Sequence, residues 1–117
     1  AELMNDLTLT QPGESLVYAT DFGDTAANRD RLIALAAGAH TLVCEATFMV
    51  RDRAQAERTG HLTTQACGEI AQAAGVRYLI PCHVSRRYEA ELDHVYAEIA
   101  AACPQTVIPR RSEVAED

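Results

Sequence analysis

The sequence predicts an α/β domain. Short apolar runs of strand length alternate with segments whose apolar residues recur at three- and four-residue steps, and turn or capping residues mark the junctions. The 117 residues are enough for one small domain and not two. Hydrophobic residues make up 48% and charged residues 23%, a composition of soluble globular chains.

Asp6–Thr10 reads as a short strand. Gln11-Pro12-Gly13-Glu14 reads as a type II turn, with proline and glycine at its two central positions. The strand Leu16–Thr20 follows, which makes a hairpin. Asp24 or Thr25 then caps a helix whose apolar face includes Leu32, Leu35 and Ala36, and Gly38 suits its left-handed end. Thr41–Cys44 is a strand of the buried type, and the charged stretch from Phe48 to Thr59 includes a short exposed helix.

Thr63 or Thr64 caps the next helix, which carries Ala66, Ile70 and Ala73 on one side and closes at Gly75. Val76–Cys82 is a strand. Tyr88–Cys103 is the clearest helix, with Leu92, Val95, Tyr96, Ile99 and Cys103 in register and Pro104 as its stop. Thr106–Ile108 is expected as a last strand, and 110–117 as a frayed polar tail. The predicted order is β-β-α-β-(α)-α-β-α-β, helices layered over a sheet.

Charge and cysteines narrow the partners. The net charge of −7 does not attract nucleic acid through the overall field, so any such contact needs local arginines: Arg86, Arg87, Arg110 and Arg111. Cys44, Cys67, Cys82 and Cys103 are widely spaced, with no CxxC pair, and read as reduced core thiols. No apolar run has the length of a bilayer span and no signal peptide opens the sequence, so no membrane partner is expected and the expected location is the cytoplasm.

Four residues stand where chemistry collects in an α/β protein, at strand ends and loop-to-helix junctions. Asp21 follows Leu16–Thr20, Glu45 follows Thr41–Cys44, His83 follows Tyr78–Cys82, and His61 precedes a helix in Gly60-His61-Leu62-Thr63. Carboxylate plus imidazole suits a metal, and a second such pair suits proton transfer. Each residue alone also has a plain reading: a turn or cap for Asp21, a solvent-facing side chain for Glu45, a capping histidine for His61, a hydrogen-bonded structural one for His83. Asp24 competes with Asp21, although it is a natural N-cap. His40 and His94 are assigned to the surface.

Glu45-Ala46-Thr47-Phe48, Gly60-His61-Leu62-Thr63 and Pro81-Cys82-His83-Val84-Ser85-Arg86-Arg87-Tyr88 occur in that order. Together with Tyr18-Ala19-Thr20-Asp21 they resemble the carboxyl-terminal half of ribonuclease Z and its relatives in the metallo-β-lactamase superfamily. The resemblance spans roughly Leu16 to Tyr88 and implies half of an αββα sandwich. It also implies that the chain is a carboxyl-terminal fragment of a larger metal-dependent phosphodiester hydrolase that uses metal-bound hydroxide. Asp21 matches a carboxylate bridging two zinc ions, and His83 a ligand of one of them. His61 matches a histidine near the leaving oxygen, and Glu45 the carboxylate that orients it. Ser85 and Arg87 match positions near the substrate phosphate.

The implied substrate is a precursor tRNA cut at its 3′ end, with a small phosphodiester, sulfate ester or lactone as the alternative; the implied complete enzyme is a homodimer. A half-domain acting in self-association is the non-enzymatic alternative. The family's His-x-His-x-Asp-His motif is absent, Phe22-Gly23 lengthens the link after Asp21, and Leu62, Cys82 and Arg86 depart from the family pattern. Asp21 and His83 alone are too few ligands for a dinuclear zinc centre, so the chain by itself is expected to be inactive.

Overall fold

The computed structural model describes residues 8–11 and 14–109. Strand β1 (Thr8–Gln11) pairs antiparallel with β2 (Glu14–Ala19), Thr8 opposite Val17 and Gln11 opposite Glu14. Strand β3 (Thr41–Glu45) lies parallel to β2, and β4 (Tyr78–Cys82) lies parallel to β3, giving a sheet in the order β1-β2-β3-β4. The parallel register puts Ala19 beside Cys44 and Glu45 beside Cys82. Three strands therefore end along one edge.

One face of this sheet is apolar and covered. Val17, Leu42 and Leu79 align across it and are buried, as are Ala19 and Cys44. Helices α1 (Ala26–Ala36), α3 (Thr64–Ala74) and α4 (Leu92–Ala102) form one layer, α1 and α4 each packing on α3. Gly68 permits the closest approach in that layer: a Cβ there would stand 2.6 Å from Ala102 Cβ and 2.8 Å from the Ile99 carbonyl oxygen. On the opposite face Tyr18, Tyr78 and Ile80 are exposed. Strand alternation forces this division.

The caps follow local chemistry. Thr25, not Asp24, caps α1, its Oγ1 accepting the Asn28 N–H at 3.1 Å. Thr63 caps α3 through the Ala66 N–H at 3.1 Å. Gly38 and Gly75 both take the left-handed conformation expected of them.

Several expectations are corrected. Leu35 is exposed, because α1 sits at the end of its layer and buries only a narrow stripe around Leu32 and Ala36. Ala73 is exposed and Ala74 buried; the buried row on α3 runs 66, 70, 74. The strand expected from Val76 begins at Tyr78.

The helix expected from Tyr88 begins at Leu92, after a 3-10 segment Arg86–Glu91 that Ser85 caps. The stretch after Phe48 forms a 3-10 turn Val50–Asp52 and helix α2 (Arg53–Thr59), but Phe48, Met49 and Ala56 are buried. Thr106–Ile108 forms no strand: a single bridge joins Thr106 to Leu79, with the Val107 N–H on the Leu79 carbonyl at 2.7 Å. Asp6 and Leu7, the Pro12-Gly13 turn centre and the tail 110–117 lie outside the described residues.

Candidate functional site

The shared carboxyl edge of β2, β3 and β4 brings Asp21, Glu45 and His61 together. Their potential ligand atoms all lie within 4.8 Å of one another. Each arrives by a different local device. Glu45 is the last residue of β3. Asp21 stands two residues past the end of β2, with φ at +53°. His61 follows Gly60, whose φ of +75° ends α2 in the left-handed region glycine tolerates. The His61 N–H then returns to the Ala56 carbonyl at 2.9 Å, which fixes the turn.

Glu45 is the hub. Its side chain is 1% exposed, and a buried carboxylate is costly unless it is hydrogen-bonded. Oε1 accepts the Asp21 N–H at 2.6 Å. Oε2 accepts the Leu62 N–H at 2.7 Å and faces His61 Nδ1 at 3.1 Å. With both oxygens engaged, Glu45 is poorly placed to bind a cation. Nδ1 donating to Glu45 leaves the other ring nitrogen of His61, on a 30% exposed side chain, for a substrate.

The remaining sequence candidates fall into two groups. His83 follows Cys82, the β4 residue paired with Glu45, so it stands on the same edge. It is exposed, has φ at +56°, and lies outside the three-residue cluster. Asp21 and His83 are the two non-glycine residues with positive φ among those described; such strain concentrates at functional sites. Among the described residues, neither the Asp21 carboxylate nor the His83 ring has a hydrogen-bond or ion-pair partner. Asp24 differs: Arg29 grips it through Nε at 2.7 Å and Nη2 at 3.1 Å. That occupation favours Asp21 as the open carboxylate.

Ser85 is used structurally. Its Oγ accepts the Arg87 N–H at 3.3 Å, and its own N–H reaches the Thr47 carbonyl at 3.0 Å. Arg87 lies 5.2 Å from the centroid of Phe48, and its Nη1 is 3.5 Å from Asp52 Oδ2. The Phe48 ring is in turn 6.2 Å from the His61 ring. Phe48, a residue of the quoted motif given no role from sequence, therefore packs beside both Arg87 and His61. Its apolar character after Glu45-Ala46-Thr47 was the available signal. The Leu62 N–H was also missed, because a backbone donor has no sequence signature. Thr47 Oγ1 is buried without a hydrogen-bond partner among the described residues.

The donor set fits a divalent metal. A free carboxylate and a free imidazole on one strand edge are zinc-type ligands, and the neighbouring His61 already has a carboxylate orienting its ring. Cys82, paired with Glu45 at the end of β4, lies outside the cluster; burial pushes its free thiol up to about 12, with Cys44 and Glu45 adding to the rise.

The sequence as a whole has relatives. The family profile described as a beta-lactamase superfamily domain matches residues 4–84. Ribonuclease Z of Brevibacillus brevis is 37% identical over 107 residues, covering 92% of this chain and 32% of the relative. Ribonuclease Z of Thermobifida fusca is 39% identical over 98 residues, covering 84% and 30%. The chain thus spans about a third of the length of these curated relatives. Among solved structures, the metallo-beta-lactamase fold protein YhfI of Bacillus subtilis superposes with a TM-score of 0.73 at 21% identity, covering 86% of this chain and 38% of that one. The short form of human tRNase Z superposes with a TM-score of 0.61 at 24% identity, covering 68% and 30%. These two likenesses establish the fold: one layer of helices on one sheet, half of an αββα sandwich.

Proposed function

This chain belongs to the β-lactamase superfamily, and from that premise we propose that it carries the proton-transfer half of a metal-dependent phosphodiester hydrolase that processes the 3′ end of precursor tRNA. One observation carries the reading: a buried carboxylate, Glu45, holds an outward-facing histidine, His61, beside an unpaired carboxylate, Asp21. Asp21 and His83 would hold the metal, with zinc the best match to a carboxylate–imidazole set. When bound, the metal supplies Lewis acidity and a nucleophile at neutral pH.

The chain's own residues do the rest. Glu45 holds the His61 ring with Nδ1 inward, which fixes the nitrogen that faces out. His61 then presents a proton at its outer ring nitrogen to the departing oxygen. Phe48 limits the tilt of the ring from one side. Arg87, lying over Phe48 with Nη1 turned to Asp52, keeps the other edge of its half-exposed planar fork for a phosphate. Further metal ligands would come from outside these 117 residues, since Asp21 and His83 do not complete a tetrahedral set.

The substrate is tested on the full-length protein. A precursor tRNA and a chromogenic phosphodiester are offered under identical conditions. Endonucleolytic cleavage of the precursor at its 3′ side supports the proposal. Turnover of the small ester with the precursor left intact replaces it by a small-ester hydrolase.

A further inference from the structure

The Glu45 carboxylate meets two distinct parts of the site. The ladder between β2 and β3 stops at the pair Ala19 and Cys44, so the Asp21 N–H lies beyond it and has no backbone partner. Glu45, the last residue of β3, supplies one from its side chain: Oε1 accepts that N–H at 2.6 Å. The bond holds Asp21 at φ +53°, a left-handed conformation that a non-glycine residue keeps only where its surroundings impose it. The other oxygen, Oε2, accepts the Leu62 N–H and faces His61 Nδ1.

We propose that Glu45 is a positioning residue for Asp21 as well as for His61, so that one buried carboxylate sets both the metal-facing carboxylate and the proton-transfer ring. The proposal rests on the reading of Asp21 as a metal ligand. Its chemistry requires two acceptor oxygens. A glutamine would turn its NH2 group toward either the Asp21 N–H or the Leu62 N–H, and donor would meet donor. An aspartate is one methylene too short to reach both loops from the strand end.

The test begins with the metal-free chain and amide proton NMR. In the unmodified protein the Asp21 amide resonates far downfield and exchanges slowly, as a short bond to a buried carboxylate requires. Glu45→Gln, which offers no charged acceptor in either orientation, removes the downfield shift; His61→Ala, which spares Oε1, leaves both signatures in place. An Asp21 amide that exchanges like an open loop in the unmodified chain overturns the proposal, and this holds even where Glu45→Gln does not fold. So does an Asp21 downfield shift that survives Glu45→Gln or is lost in His61→Ala.

Manganese(II) is then titrated into the full-length protein, read as paramagnetic broadening at residues 20–23. The concentration for half-broadening rises about 10- to 100-fold in Glu45→Gln, the range for a partner behind a metal ligand. Equal broadening in both proteins rejects the proposal alone. No broadening in the unmodified full-length protein, with the Asp21 amide signature intact, rejects the ligand reading and the proposal with it.

Discussion

Two polar clusters flank the segment that follows β3, and they are built in opposite ways. Around Asp52 the charges are closed. Tyr88, fully buried, donates its hydroxyl to Asp52 and accepts the Met49 N–H at 2.9 Å. Arg51 pairs with Glu91 and lies over the Tyr88 ring, while Arg87 faces Asp52. Each cation there has its anion. Around Glu45 the hub is saturated, yet its neighbours are open: the Asp21 carboxylate is exposed, and one His61 nitrogen points away. The left-handed residues Asp21 and His83 also belong to this edge. A closed network holds a fold together, whereas a saturated hub ringed by open groups presents those groups to something else.

The strongest way to break this comparison is His61→Ala in the full-length protein. Turnover should fall by about 10²–10⁴-fold, the usual share of a general acid or base, with metal content measured by atomic absorption unchanged. A loss of only a few-fold would place His61 with the structural residues.

Tyr88→Phe probes the closed cluster. It leaves the Met49 N–H and the Asp52 carboxylate without the hydroxyl, and urea unfolding should show a loss of about 1–3 kcal/mol. Turnover of the folded variant should stay near normal. A drop comparable to that of His61→Ala would erase the distinction between the two clusters.

Asp21→Asn and Asp24→Asn sharpen it further. Asp24 is a largely exposed partner of Arg29, so its loss should cost no more than about 1 kcal/mol and leave metal content intact. Asp21→Asn should lower metal content with little change in stability. The reverse pattern would make Asp24 the ligand.

The smallest effect is acid sensitivity. The Tyr88 hydroxyl, then Arg87 and Arg51, hold the Asp52 carboxyl below its usual value of 3.8. Arg51 does the same to Glu91, whose usual value is 4.5. A lowered folded-state value means that the contribution is fully present above the unfolded-state value and is lost as pH falls through the folded one. Urea midpoints should therefore decline below about pH 4, and less steeply in Asp52→Asn. Parallel declines in the two proteins would show that Asp52 contributes nothing to the acid limb.

Much of the chain was legible before any coordinates. Thr63 and Gly75 bracket α3 as capping chemistry requires, and Thr41–Cys44 is a strand because it is short, apolar and bounded by turn residues. Leu35 and Ala73 were not, since helical spacing gives the phase of a face but not how much of it a neighbour covers. Thr106–Ile108 had strand-like residues but made only a bridge to Leu79, because a strand needs a partner along its length.

The sequence by itself determined the alternation of strands and helices, their caps, and which acids and histidines stand at the strand ends. Those depend on interactions within a few residues of each other. Tertiary structure alone decided that Glu45 would bind an N–H 24 residues before it and an imidazole 16 residues after it, that Asp24 would be occupied by Arg29, and that Asp21 and His83 would turn left-handed. Hydrogen bonds between remote segments, and the backbone strain they offset, exist only once parallel strands have been brought to a common edge.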